Sequence, residues 1–160
     1  MQEMFIKLLQ LINVAGKISG RKKLQKMIYI LKHKGFEFDE NYSYYYYGPY
    51  SSVLQMEIDE LVRLDLLKEY YDDITYEYKV TKDADSYLKD NIFDDKQINT
   101  IKMLNREPGN ILELVSVFFY LEDNGYTEKN AILKKTRILK PELVNHLDKA
   151  YELYSSIKGL

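Results

Sequence analysis

Apolar residues recur along the chain with helical spacing. Over residues 3–14, Met4, Leu8, Leu11 and Ile12 share one face and the pattern stops at Gly16, which predicts a helix with a glycine stop. In GRKKLQKMIYILKHKG, Leu24, Met27, Ile28 and Leu31 fall at i, i+3, i+4 and i+7. This predicts a second helix between Gly20 and Gly35, with Ser19 as its N-cap. Lys22, Lys26, Tyr29 and His33 form the stripe beside the apolar one.

The period then changes. Six of the nine residues from Tyr42 to Tyr50 are tyrosine, and the run ends at Gly48-Pro49, the pattern of a short strand entering a turn. Strand alternation sends either Tyr45 and Tyr47 or Tyr44 and Tyr46 inward. Ser52 and Gln55 have capping-box spacing for a third helix reaching about Leu66, with Leu54, Ile58 and Leu61 inside. Residues 68–80, KEYYDDITYEYKV, read as a hairpin around Asp72-Asp73. Helices are predicted at Asp83 to Phe93, Asp95 to Arg106, Asn110 to Asp123, Thr127 to Arg137 and Pro141 to Ile157. Pro108-Gly109, Asn124-Gly125 and Pro141 mark the joints. The run ILELVSVFFYL is apolar almost all round, which marks its helix as central, and it is too short to span a bilayer.

Three helices followed by a hairpin give the element order of a winged helix. The fold class expected is therefore mainly α (α+β): a winged-helix-like region over residues 1–82, and a helical extension over residues 83–160 packed on it as one globular unit.

Composition narrows the chemistry. The 160 residues are 46% hydrophobic and 30% charged, an ordinary globular balance that excludes a disordered chain. With no cysteine, disulfides, thiolate catalysis and cysteine-ligated zinc are excluded. His33 and His146 lie far apart, without an HxxxH pair. Phosphate-loop, dinucleotide-binding, nucleophile-elbow and HExxH motifs are all absent, so neither a cofactor nor an enzymatic activity is expected. The opening MQEMFIKLL has no small-residue cleavage site, which leads us to expect a cytoplasmic protein with no membrane association.

Charge is uneven although the net is only -2. Residues 1–50 carry 8 basic and 4 acidic side chains, whereas residues 51–100 carry 6 and 13. Five of the eight basic residues lie between Lys17 and Lys26. The third helix is in the order position of a DNA-recognition helix, yet Glu57, Asp59, Glu60 and Asp65 there face only Arg63. Such an element is repelled by phosphate, so a DNA-binding regulator is the runner-up reading.

The segment GRKKLQKMIYILKHKGFEF followed by YYGPYSSVLQMEIDELVRLDLL resembles the YwgA family of small bacterial proteins. More distantly it is similar to the Panacea domain of SocA-like antitoxins, through a KLQK-type helix followed by a YGP turn. ILELVSVFFYL and the K-rich helix after it extend the resemblance over nearly the whole chain. The resemblance implies a winged-helix-like core and, through the Panacea domain, neutralisation of a toxin or defence component by direct protein contact. Together with the residues, it gives a partner-binding surface of Arg21, Lys22, Lys23 and Lys26 with Tyr47, Gly48, Pro49 and Tyr50. Charge at a helix start attracts acidic groups, and tyrosines supply rigid contact area; the plain alternative for the lysines is a solvated helix face. A homodimer is compatible with the same surface. Reversing Lys22 and Lys26 to glutamate is expected on this reading to weaken binding and leave the melting temperature nearly unchanged.

Overall fold

A computed structural model describes residues 2–160. Helix α1 (Gln2–Ala15) ends as expected at Gly16, whose φ of +82° suits glycine and whose N–H donates to the Ile12 carbonyl at 2.9 Å. Strand β1 (Ile18–Ser19) leads into α2 (Arg21–His33); then come β2 (Ser43–Tyr45), β3 (Gly48–Tyr50) and α3 (Ser52–Arg63). The hairpin β4 (Leu67–Tyr71) and β5 (Tyr76–Val80) precedes α4 (Asp95–Asn105), α5 (Gly109–Asp123), α6 (Lys129–Leu139) and α7 (Leu147–Lys158). The chain is thus mainly α, an α+β fold with two small antiparallel sheets. No described helix is long and apolar enough to cross a membrane.

The first sheet has the order β1-β5-β4, with Ile18 opposite Tyr78 and Leu67 opposite Val80. β1 carries no period-2 signature because it is two residues long, so it is invisible in the sequence. Its Ser19 is engaged as a strand residue opposite Glu77. The expected N-cap role therefore passes to Gly20, which offers no side-chain cap to α2.

The second sheet is the tyrosine run folded on itself, with Tyr44 opposite Pro49 and Tyr46-Tyr47 at the tip. A single strand was expected here. Neither expected inward pair is found: Tyr44 is half-buried against Tyr120, while Tyr45, Tyr46 and Tyr47 are 54%, 85% and 58% exposed.

The core centres on α2 packed along α5, the most extensive helix-on-helix contact in the structure. Residues Ile111 to Phe119 of α5 are buried without a break, which is what an all-round apolar helix requires. α7 packs on another side of α5 through Tyr154 and Tyr151, whose rings meet Phe118 edge-on or tilted at 5.5 and 5.4 Å.

Three expected boundaries change. The capping box at Ser52 and Gln55 is displaced: Ser51 is the N-cap, its Oγ accepting the Leu54 N–H at 3.1 Å. The helix expected over Asp83 to Phe93 is only a 3-10 turn, Lys82–Tyr87, followed by irregular chain. Between Asp83 and Phe93 only Ala84 and Phe93 are buried, so no apolar stripe holds a helix against the core; Gln10 Nε2 instead takes the Tyr87 and Asp90 carbonyls at 3.1 and 2.8 Å. The helix expected from Pro141 likewise opens as a 3-10 turn, Pro141–His146, before α7.

Candidate functional site

A cleft of about 370 Å³ lies where the start of α2, the tyrosine hairpin and α3 meet. α2 contributes Arg21, Lys22, Gln25 and Lys26, the hairpin Tyr47 and Tyr50, and α3 Gln55 and Asp59. Five of the residues expected to form a surface from sequence are therefore gathered here.

Their roles differ from the expectation of a basic face. Lys26 is 1% exposed, and its Nζ donates to the Pro49 carbonyl at 2.5 Å. Burial pushes its ammonium down to about 7, against the favourable field of Glu113 and with the repulsion of Lys140 and Lys22. Lys26 is a buried tether and presents no charge to a partner. Lys23 leaves the cleft altogether: its Nζ donates to the Asn105 carbonyl at the end of α4, and burial lowers its pKa. Lys22 stays at the rim, 2.9 Å from Glu113 Oε1 and donating to Asn110 Oδ1 at 2.8 Å. Arg21 lies over the Tyr76 ring at 3.8 Å, with Glu69 also 3.8 Å away. The local positive charge is thus largely matched inside the fold.

Two residues that sequence reading passed over organise this arrangement. Glu113, 2% exposed on α5, lies 2.9 Å from Lys22 and 3.0 Å from Lys140. Lys140, also buried, donates from Nζ to the Tyr46 carbonyl at 2.8 Å. The hairpin is therefore held by two lysines through two of its own carbonyls, one from α2 and one from the end of α6. A lone acid in ILELVSVFFYL was the available signal, because an ionised carboxylate inside an apolar helix needs a cation.

Gln25 completes the attachment. Its Nε2 donates to the Ser51 carbonyl and its Oε1 accepts the Ser51 N–H, both at 2.9 Å, while Tyr42 OH donates to the Gln25 carbonyl at 3.0 Å. Gly48, at φ +92°, sits so close to α5 that a Cβ would lie 3.4 Å from Val117 Cγ2 and 3.9 Å from Lys26 Nζ. The Lys-Leu-Gln-Lys segment of α2 and the Tyr-Gly-Pro-Tyr arm of the hairpin are two halves of one clamp. Gln25→Ala is expected to cost about 1–3 kcal/mol in urea unfolding, since it orphans the buried Ser51 N–H, whereas the Ser51 carbonyl keeps the Gln55 N–H at 3.2 Å.

No family model matches the sequence. Over 136 residues, 80% of this chain and 82% of the other, it is 38% identical to the uncharacterised protein YwgA of Bacillus subtilis strain 168. The chain belongs to the YwgA family. The clamp gives this YwgA-family chain a physical reason for its two spaced motifs: Lys26 of the first holds the Pro49 carbonyl of the second, and Gln25 holds Ser51 just after it.

The two histidines lie in different surroundings. His33 Nε2 is 2.7 Å from Asp123 Oδ2 and its Nδ1 3.0 Å from the Tyr29 carbonyl, so both ring nitrogens are engaged within the fold. His146 is exposed at the start of α7. Among the described residues no cluster of three His, Cys, Asp or Glu side chains has metal-binding geometry.

Proposed function

We propose that this chain is a non-enzymatic, cytoplasmic regulator that acts by binding another protein through the tyrosine hairpin and the adjoining cleft. The observation that carries the reading is the exposure of Tyr45, Tyr46 and Tyr47 on a tip whose backbone is fixed by Lys26, Lys140 and Gln25. Large aromatic area on an immobile support binds with little entropy loss, which is the character of an interface anchor. Arg21, half-exposed at the rim and only loosely paired with Glu69, is the charge that orients an approaching partner. The order α1, β1, α2, α3, β4, β5, with the β2–β3 hairpin inserted between α2 and α3, supports a winged-helix-like scaffold, and the Panacea resemblance makes an antitoxin-like or anti-defence role the sharper form.

The DNA-binding alternative is disfavoured by the composition of α3, where Arg63 is already taken up by Glu60 at 2.8 Å and Glu57 and Asp59 remain.

The test is affinity capture from the bacterium of origin, with and without nuclease, comparing the native chain with a Tyr46→Ser/Tyr47→Ser variant. A stoichiometric protein partner that survives nuclease is expected, with the variant binding it at least about thirtyfold more weakly at an unchanged melting temperature. Equal capture by the variant, or recovery of salt-sensitive nucleic acid in place of protein, overturns the reading. A second copy of the chain as the partner would appear as a dimer in light scattering.

A further inference from the structure

Another face of α3 closes a second hollow, of about 530 Å³, against α1 and the segment before β2. Met4 and Phe5 of α1 and Val53 and Met56 of α3 make its walls apolar. Its charged lining is entirely acidic: Asp39, Glu40, Glu57 and Glu60. Glu60 is engaged by Arg63. Glu40 differs from the rest, being 2% exposed with neither carboxylate oxygen in a hydrogen bond. Burial raises the pKa of its carboxyl, and burial together with Glu40 pushes Glu57 up to about 7.

Buried polar groups are almost always satisfied, and an unpartnered carboxylate is among the costliest exceptions. A ligand that satisfies Glu40 must donate a hydrogen bond, the acidic lining favours a cationic donor over a neutral one, and the donor must also suit apolar walls. A hydrated metal ion meets the first requirement and fails the second, whereas an ammonium on a methylene stem meets both. Val53 and Met56, 50% and 69% exposed, also leave an apolar lip around the hollow. A small free amine would leave that lip wet, while the chain flanking a protein side chain would cover it.

We propose that this hollow receives a lysine side chain presented by a partner protein, its stem against Met4, Phe5 and Met56 and its ammonium taken up by Glu40 and Glu57. This shares with the reading above only the premise of a protein partner, and uses a different face of α3.

The test needs no identified partner, so it fails or succeeds independently of the capture experiment. Methyl-labelled methionine spectra of the full chain are followed during titration with Nα-acetyl-lysine N-methylamide. Saturable shifts at Met4 and Met56 are expected, half-complete within roughly 10 mM. The uncharged norleucine analogue is expected to give none. Glu40→Gln and Glu57→Gln are each expected to weaken binding by at least about tenfold. Glu40→Gln should melt no lower than the native chain, because it replaces an unpartnered acid with an amide. Absence of saturation, equal shifts with norleucine, or binding indifferent to both variants overturns the proposal. Tighter binding of pentane-1,5-diamine than of the capped lysine overturns it in favour of a free-amine site.

Discussion

Lys26→Glu is expected to destabilise the fold by about 3–5 kcal/mol or more, enough to unfold a domain of ordinary stability at ambient temperature. The native ammonium is enclosed and donates to the Pro49 carbonyl. A carboxylate in its place faces that carbonyl and the field of Glu113. This reverses the expectation from sequence, in which the same substitution would have spared the melting temperature. Lys26→Met is the informative companion. It keeps the stem and removes the desolvated charge, so its cost should stay near that of one lost hydrogen bond, about 1–2 kcal/mol. Urea unfolding of both variants checks the pair; a Lys26→Glu protein as stable as the native one would mean that the side chain swings out to solvent.

The sign of the pH dependence follows from the same burial. Folded, Lys26 loses its proton near pH 7; unfolded, it keeps it to the ordinary lysine value of 10.5. Between these limits the unfolded state binds the extra proton, so stability from this group rises with pH, by at most about 1.4 kcal/mol per unit. Below pH 7 both states are protonated and the slope vanishes. Glu57 acts in the opposite sense at lower pH: its folded value near 7 against an ordinary 4.5 makes its contribution fall as pH rises through that window. Buried tyrosines such as Tyr44, raised to about 12, withdraw stability only above pH 10. The difference between native protein and Lys26→Met over pH 7–9 therefore isolates Lys26, and a flat difference would show that its ammonium stays charged.

Glu113→Gln is expected to be the second large loss, about 3–5 kcal/mol, because the shape is kept while the one anion among Lys22, Lys26 and Lys140 disappears. Amide exchange in the hairpin should accelerate beyond that in α5, since Lys140 no longer holds the Tyr46 carbonyl firmly. Adding Lys26→Met should recover part of the loss, a non-additivity that marks groups sharing one charge network. A loss under about 1 kcal/mol, or strict additivity, would mean that water supplies the counter-field.

The apolar faces of α2 and α3 were legible because Leu24, Met27, Ile28 and Leu31, and likewise Leu54, Ile58 and Leu61, repeat at helical spacing and are all buried. The centrality of α5 followed equally from its uninterrupted apolar run. Lys26 was misread for a definite reason. Within α2 it sits in the stripe of Lys22, Tyr29 and His33, which locally reads as solvent-facing. What covers it comes from Pro49, Glu113 and Lys140, residues 23 or more positions away, and helical periodicity carries no term for such partners. The hairpin was half-legible: Gly48-Pro49 marked a turn region, but tertiary contacts with α5 placed the reversal at Tyr46-Tyr47. The irregular stretch after Tyr87 was lost because its acids resemble a helix start, while too few apolar groups follow to dock one.

The clamp also orders events in time. Lys26 and the hairpin leave the ribosome long before Glu113 and Lys140, and at about 5–20 residues per second the gap of some 65–115 residues lasts roughly 3–20 s. During that interval the apolar face of α2 has no α5 to cover it, and its lysine has no anion. The tyrosine-rich turn is then a nascent segment without its anchor, rich in β-forming residues and open to other chains. Stalled synthesis short of residue 140 would therefore release a product more prone to aggregate than to bind, and a cell making this protein has reason to degrade truncated copies quickly.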